Sequence, residues 1–156
     1  TLKDIQDIFE LRIMLEPVAA RMAAGKVKTQ RLKPYNDACR EGYARKDAKS
    51  ITRFLDANKA FRMEIAHATG NAKLAAAIDH LLDEMTRLLH LGSSLREGSL
   101  DAITDYTTLI RALARGDGEA AERICREQIE AARSMILAAV LGNRSAISLA
   151  IAADDA

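Results

Sequence analysis

The sequence predicts an all-α protein, an antiparallel bundle of about six helices. Apolar residues recur every three or four positions along most of the chain, which is the period of an amphipathic helix. Only two prolines interrupt the 156 residues, and strand-like runs of β-branched or aromatic residues are few. Connections between the periodic segments are short, which favours antiparallel neighbours, and a hydrophobic content of 49% is enough for one buried core.

Capping residues and glycines give the expected boundaries of these helices. Pro17 lies inside the first helix and is expected to kink it, because proline lacks an N–H and its ring clashes with the preceding turn. The third helix is capped by Asp47 or Ser50 and stops at Gly70. The other helices are expected at about residues 2–24, 29–45, 71–91, 100–115 and 117–141, with Thr29, Asn71 and Asp117 as N-caps.

Composition excludes several classes of function. With 23 basic and 22 acidic residues, the net charge of +1 gives no electrostatic case for a nucleic-acid or membrane surface. Cys39 and Cys125 lie far apart without a CxxC spacing, which indicates reduced thiols in a cytoplasmic protein. No P-loop, GxGxxG, HExxH or GxSxG motif is present, so nothing argues for an enzyme.

Polar residues interrupt the apolar stripes of four helices near their centres. They are Arg12, Asn58, Arg62, Tyr106 and Gln128. A buried polar group without a partner costs about 1–3 kcal/mol, so each of these side chains needs a hydrogen-bond partner inside the bundle. Their common inward direction favours one shared polar pocket. Separate buried hydrogen bonds are the alternative.

The stretch around the third helix resembles a known family. Asn58, Phe61, Arg62, Ile65, Ala68, Gly70 and Asn71 follow the pattern D-x-x-F-H-x-x-I-x-x-A-x-G-N of the FCD domain. This is the ligand-binding domain of GntR-type bacterial transcription regulators, in the fatty-acid-regulator branch. The segments ELRIMLEP and RALARGDGEAAERICREQIEAA resemble the opening and closing signatures of the family, so the likeness extends from Leu11 to about Ala132.

The resemblance implies a domain organisation and partners. Residues 1–141 are expected to form the ligand-binding and dimerisation domain, with a winged-helix DNA-binding domain before residue 1; the order of the tail at 142–156 is left open. A homodimer is implied, and the stripes of the first and fourth helices look broad enough to leave apolar surface for it. The implied effector is a small organic acid, and operator DNA is contacted only through the domain before residue 1.

Many members of the family bind a divalent metal with one Asp or Asn and three histidines. In this chain those positions carry Asn58, Arg62, Tyr106 and Gln128, so all three histidines are replaced by poor metal ligands. No metal and no cofactor is therefore expected. His67, His80 and His90 do not restore the set; they are expected as surface or partly buried structural residues. His80, Glu84 and Arg87 have the helical spacing of a surface triplet.

The predicted function is an effector sensor that binds a small carboxylate between Arg12 and Arg62, because a guanidinium can hold a carboxylate directly. Asn58, Tyr106 and Gln128 would add neutral hydrogen bonds. If Arg62 instead pairs with a carboxylate of its own chain such as Glu16, this mechanism is wrong. The alternatives are then a structural dimerisation module without a ligand or, with less support, a small all-α enzyme.

Overall fold

A computed structural model describes residues 1–44, 46–91 and 104–154, with side chains up to residue 142 except that of residue 91. These residues form six helices and no strand, which confirms the all-α bundle. The helices are α1 (Leu2–Ala23), α2 (Thr29–Glu41), α3 (Ala48–Ala68), α4 (Ala72–Leu91), α5 (Thr107–Arg115) and α6 (Gly118–Asp154).

Helix α1 is the centre of the bundle, since it packs along α6 and also contacts α3, α4 and α5. It runs antiparallel to α6, because Arg21 near its end meets Glu122 near the start of α6 at 3.0 Å. The buried side chains around it include Phe9, Phe61 and Tyr106, each at most 1% exposed. The Phe61 and Tyr106 rings stack with centroids 4.1 Å apart, which joins α3 to the residue just before α5.

Proline inside α1 leaves one backbone carbonyl without its helical partner. Pro17 has no N–H to donate to the carbonyl of Ile13, four residues earlier. The structure gives that oxygen another donor, the Nη1 group of Arg126 on α6, at 3.4 Å. The carbonyl left unpaired at the expected kink therefore gains a donor from a side chain of the neighbouring helix.

The expected caps are present at three helices. Asp47 caps α3 by accepting from the backbone N–H groups of Lys49 and Ser50. The Ser50 hydroxyl has a different role, since it bonds the backbone of Ala44 across the preceding turn. Asn71 accepts from Leu74 at the start of α4, and Asp117 accepts from Ala120 at the start of α6.

The bounds of three helices differ from the sequence expectation. Helix α2 ends at Glu41 rather than near residue 45, because Gly42 adopts a φ of +68° and turns the chain; its N-cap is Lys28, not Thr29. Helix α5 begins at Thr107, whereas the predicted start at residue 100 lies outside the described residues; residues 104–106 are not helical. Helix α6 continues through the alanine-rich segment to Asp154.

Two glycine turns meet on one side of the bundle. Gly25 follows α1 with a φ of +77°, and Gly116 separates α5 from α6 with a φ of +70°. A Cβ atom on Gly25 would lie 3.5 Å from the Cα atom of Gly116, and the Gly25 N–H donates to Leu113 at 2.9 Å. The left-handed backbone and this close approach together explain the glycines. In the part of the chain that the structure describes, no helix is long and apolar enough to cross a membrane.

Candidate functional site

A cavity of about 300 Å³ opens between α1, α3, α4 and α6, next to the residues that precede α5. All five inward polar residues that the sequence singles out line it: Arg12, Asn58, Arg62, Tyr106 and Gln128. Its apolar walls come mainly from α4 and α6. The structure thus brings the five residues together around one space, as the shared-pocket interpretation expects. Their role in binding a ligand remains a prediction.

Glu16 lies between the two arginines of the site. Its Oε2 accepts from Arg12 Nε at 2.7 Å, and its Oε1 accepts from Arg62 Nη1 at 3.0 Å. The side chains of Arg12, Glu16 and Arg62 are 7%, 5% and 9% exposed. The expected binding of an external carboxylate between Arg12 and Arg62 is therefore wrong, because a carboxylate of the chain itself already fills that position.

The three charges hold one another in their ionised forms. Burial alone would raise the pKa of Glu16, but the charges of Arg12 and Arg62 and their hydrogen bonds outweigh it and lower that pKa below its usual value. Burial also opposes the charge of Arg62, yet Tyr106 and Glu16 more than compensate and raise the pKa of Arg62. Two guanidinium groups and one carboxylate leave this buried triad with one net positive charge.

Tyr106 continues the polar network from the triad to α3. Its hydroxyl accepts from Arg62 Nη2 at 3.0 Å and donates to Asn58 Oδ1 at 2.6 Å. Asn58 in turn donates from Nδ2 to the Phe54 carbonyl at 3.0 Å. Burial raises the pKa of Tyr106, so its hydroxyl keeps the proton that it donates to Asn58.

Asn36 positions Tyr106 and was not among the residues predicted from the sequence. It is 4% exposed, and its Oδ1 accepts from the backbone N–H of Tyr106 at 2.7 Å. Its Nδ2 donates to the Thr107 hydroxyl at 3.3 Å, which ties the start of α5 to α2. The only signal in the sequence is an asparagine on the inner side of α2, four positions after Leu32.

Two groups of the site have hydrogen-bonding capacity left over. Gln128 Oε1 is fully buried and accepts no hydrogen bond from the described residues. Arg12 is 6% exposed and lines the cavity, but only its Nε is hydrogen-bonded within the described chain. Since buried polar groups are normally paired, an unused acceptor and unused guanidinium donors beside one cavity indicate room for a polar ligand or ordered water.

The rim of the cavity carries further charge. Lys59 lines it and is paired with Asp79 at 2.9 Å and with Asp83 at 2.5 Å on α4. Asp105 also lines it and accepts from the Thr107 hydroxyl. Among the described lining residues, Arg12, Lys59 and Arg62 are basic and Asp105 is the acidic one. Because Lys59 is paired with two aspartates, the positive charge that favours an anionic ligand is the one net charge of the buried triad.

The residues at the family's metal-ligand positions do not fit a divalent cation. Arg62 is a permanent cation, and the Asn58 oxygen already accepts from Tyr106. Among the residues that the structure describes, no three His, Cys, Asp or Glu side chains come together as a metal site would require. No step of the function can therefore be derived through a metal here.

The histidines and cysteines lie apart from this chemistry. His67, His80 and His90 are exposed, and Glu84 contacts both His80, at 3.7 Å, and Arg87, at 3.9 Å, which confirms the surface triplet. Burial raises the pKa of Cys39 to about 11 and that of Cys125 to about 12. Both thiols therefore stay protonated near neutral pH and offer no nucleophilic thiolate.

Comparison with known proteins gives the family. The FCD domain model matches residues 7–131, which is most of the chain and includes every residue of the buried network. No curated protein and no solved structure shows significant similarity to it. The match does not address the fatty-acid-regulator branch, which stays a prediction. The chain belongs to the FCD domain family, the effector-binding regulatory domains of GntR-type transcription regulators.

Proposed function

We propose that this chain is the effector-sensing and dimerisation domain of a bacterial, cytoplasmic GntR-like regulator, and that its cavity binds a small carboxylate without a metal. The observation that carries the proposal is the cavity of about 300 Å³, lined by a buried arginine with unused donors. Its size suits a small metabolite, and the net positive charge of the buried triad suits an acid.

The carboxylate is expected on the cavity side of Arg12 rather than between the two arginines. Glu16 accepts a hydrogen bond from Arg12 Nε, which leaves the two terminal nitrogens of Arg12, Nη1 and Nη2, for the ligand. Gln128 adds an unused acceptor at the same cavity, so a hydroxyl or amino group on the ligand has a partner there. Arg62, Tyr106 and Asn58 then serve mainly to hold the wall of the site.

Binding regulates DNA only if it changes the arrangement of two such domains. A ligand shifts an equilibrium by no more than its difference in affinity for the two states. The cavity lies between α1, α3, α4 and α6, and α1 packs against all of the other three. A ligand that draws these helices together would therefore change the position of α1. In a homodimer this would alter the spacing of two DNA-binding domains preceding residue 1.

A thermal-shift experiment with organic acids tests the ligand. A carboxylate at 100 times its dissociation constant stabilises the folded state by about 2.7 kcal/mol if it binds that state alone. Arg12→Lys keeps a charge beside Glu16 but removes the planar fork, so it should lose most of this shift. The matched control is Arg21→Lys, on the exposed side of the same helix, which should retain it.

The metal-free part of the proposal has its own measurement. Elemental analysis of tag-free protein should find less than about a tenth of an equivalent of zinc, nickel or manganese, because Arg62 and Tyr106 are poor ligands. Stoichiometric metal that disappears in Asn58→Ala would contradict it.

One observation favours a second function. Glu16 already pairs with both arginines within the chain, so each buried guanidinium group has a carboxylate partner without an external acid. If no organic acid shifts the melting temperature while the protein remains dimeric, the domain is a structural dimerisation module. Turnover of a stabilising compound would instead point to an enzyme.

A further inference from the structure

The charge of the cavity changes sign between its inner end and its rim. At the inner end, the side chains of the buried triad are at most 9% exposed and together carry one net positive charge. At the rim, the side chain of Lys59 is 31% exposed and lies between Asp79 and Asp83 of α4. These three groups carry one net negative charge. A ligand that spans the cavity therefore meets opposite charges at its two ends.

The cation at the rim is already occupied. Lys59 Nζ lies 2.9 Å from Asp79 and 2.5 Å from Asp83, and its hydrogen bonds to both carboxylates raise its pKa, so it stays charged and paired. Asp105, with a side chain 52% exposed, also lines the cavity and is itself matched by Arg40 at 3.7 Å. Outside the triad, the described lining thus offers no unpaired cation to a second carboxylate.

The walls between these two ends are apolar. Leu82, Met85 and Leu89 of α4 line the cavity and are 6%, 4% and 7% exposed, and α6 adds Met135 and Ile136. The sequence suggested that leucines on α4 leave apolar surface for a partner chain, but Leu82 and Leu89 face this cavity instead. Apolar walls favour an apolar ligand group and disfavour a charged one, which would lose its hydration there.

The position of the charges and the apolar walls define a class of effector. We propose that the cavity selects monocarboxylates with an uncharged apolar tail, and that the Lys59, Asp79 and Asp83 cluster acts against dicarboxylates. The proposal rests on the proposed function and names the class of acid for that same site. The carboxylate binds Arg12, the tail lies along α4 and α6, and the tail end reaches the negative rim.

Paired acids of equal length test the selection. Butanoate, hexanoate and octanoate are compared with succinate, adipate and suberate by thermal shift and isothermal calorimetry on the 156-residue chain. The tightest monocarboxylate should bind at least about tenfold more tightly than the dicarboxylate of its length, because the second carboxylate meets apolar walls and a negative rim. A dicarboxylate that binds as tightly as its partner would overturn the proposal.

Freeing Lys59 should change the selectivity. Asp79→Asn/Asp83→Asn turns the rim from one net negative to one net positive charge, so adipate should bind about tenfold more tightly while hexanoate stays within about threefold. Adding Lys59→Met removes the cation and should cancel the gain. A gain that persists in this triple variant would come from looser contact between α3 and α4, and would overturn the role of the charges.

Adjacent acidic residues of α4 provide a matched control. Asp83→Asn and Glu84→Gln each remove one negative charge, but Asp83 contacts Lys59 whereas Glu84 contacts His80 and Arg87. Only Asp83→Asn should tighten the binding of adipate, by about threefold. Equal effects of both variants would reflect the overall charge of the chain and contradict a specific role of the cluster.

Filling the cavity tests the position of the tail. Ala132 lines the cavity, so Ala132→Leu shortens the space along α6 and should weaken octanoate about tenfold but butanoate less than about threefold. Ala138→Leu, at an exposed position of the same helix, should change neither. Equal loss for both acids in Ala132→Leu would show that the tail does not lie along α6.

The two proposals fail in different ways. If none of the six acids shifts the melting temperature, both the carboxylate-sensing function and the selection are wrong. If dicarboxylates bind as well as monocarboxylates and Arg12→Lys abolishes both shifts, the sensing function stands and the selection is overturned. A preference for monocarboxylates that none of the rim variants changes would overturn the role of Lys59, Asp79 and Asp83.

Discussion

Each side of α1 carries a departure from the usual distribution of polar and apolar residues. On the inner side Arg12 and Glu16 are 6% and 4% exposed. On the outer side Leu11, Met14 and Val18 form a stripe and are 46%, 63% and 41% exposed. Charged residues are rarely buried unless they are paired, and a row of exposed large apolar residues is uncommon on a monomer. The same helix therefore carries a buried ion pair on one side and exposed apolar residues on the other.

The difference teaches that neither face is explained by folding alone. A buried ion pair is often no more stabilising than apolar residues of similar volume, so the inner charges point to a requirement of the cavity. The outer stripe gains nothing for a single chain, because its apolar surface stays in water. In the proposed function the inner face serves an acidic effector and the outer face a second copy. Changes to the inner face should mainly alter the free energy of unfolding, and changes to the outer face should mainly alter self-association.

Removing the inner carboxylate should have the largest effect. Glu16→Gln leaves two buried guanidinium groups with one neutral neighbour, and breaking a buried ion pair destabilises by about 3–5 kcal/mol. Urea unfolding followed by circular dichroism measures the loss. Glu10→Gln, at an exposed position of the same helix, is the control and should change the free energy of unfolding little. A small effect at Glu16 would mean that the cavity hydrates the arginines.

The same carboxylate gives a pH dependence with a definite sign. The pKa of Glu16 is lowered in the folded state, so its contribution is complete above the ordinary glutamate pKa of about 4.3 and is lost as pH falls through the lower folded value. The stability difference between wild type and Glu16→Gln should therefore be constant from about pH 7 to pH 5 and shrink below about pH 4. Unfolding midpoints measured across this range check it. A difference that grows on acidification would contradict the lowered pKa.

Periodicity was enough to predict the helices and the inward side of Arg12, Arg62 and Gln128. Each position depends on local spacing, which the sequence contains directly. The side chains that meet them do not follow from spacing. Glu16 lies one turn after Arg12, so their pairing could be foreseen, but its second contact to Arg62 spans α1 and α3 and depends on how those helices pack.

The start of α5 shows the same limit. Periodicity extended the helix back through Tyr106, yet Asn36 on α2 binds the Tyr106 backbone and Asp105 accepts from the Thr107 backbone and hydroxyl. With these contacts α5 begins at Thr107, and Tyr106 is its N-cap. The hydrogen bond from the Tyr106 backbone to Asn36 joins residues 70 positions apart, and a local sequence pattern cannot predict it.

Removing one hydroxyl from the inner network should have an intermediate effect. Tyr106→Phe keeps the ring stacked on Phe61 but leaves Arg62 Nη2 and Asn58 Oδ1 without their shared partner. An unsatisfied buried group costs about 1–3 kcal/mol, which thermal unfolding can resolve. Tyr35→Phe is the control, because the Tyr35 ring packs against the core and its hydroxyl makes no hydrogen bond within the described residues. Equal losses in both variants would show that the network adds little.

The outer face should show the smallest effect on the single chain and a clear one on association. Met14→Ser removes exposed apolar surface, so the free energy of unfolding at low protein concentration should stay within about 0.5 kcal/mol of wild type. Ile8→Ser, 7% exposed on the same helix, should instead destabilise strongly, because it buries a hydroxyl and empties packed volume. The melting temperature of wild type should rise with concentration, since dimerisation stabilises the folded state, and this rise should vanish in Met14→Ser. Calorimetry over a hundredfold range of concentration makes the measurement. A concentration dependence that survives in Met14→Ser would move the dimer contact to another surface and leave the exposed stripe of α1 unexplained.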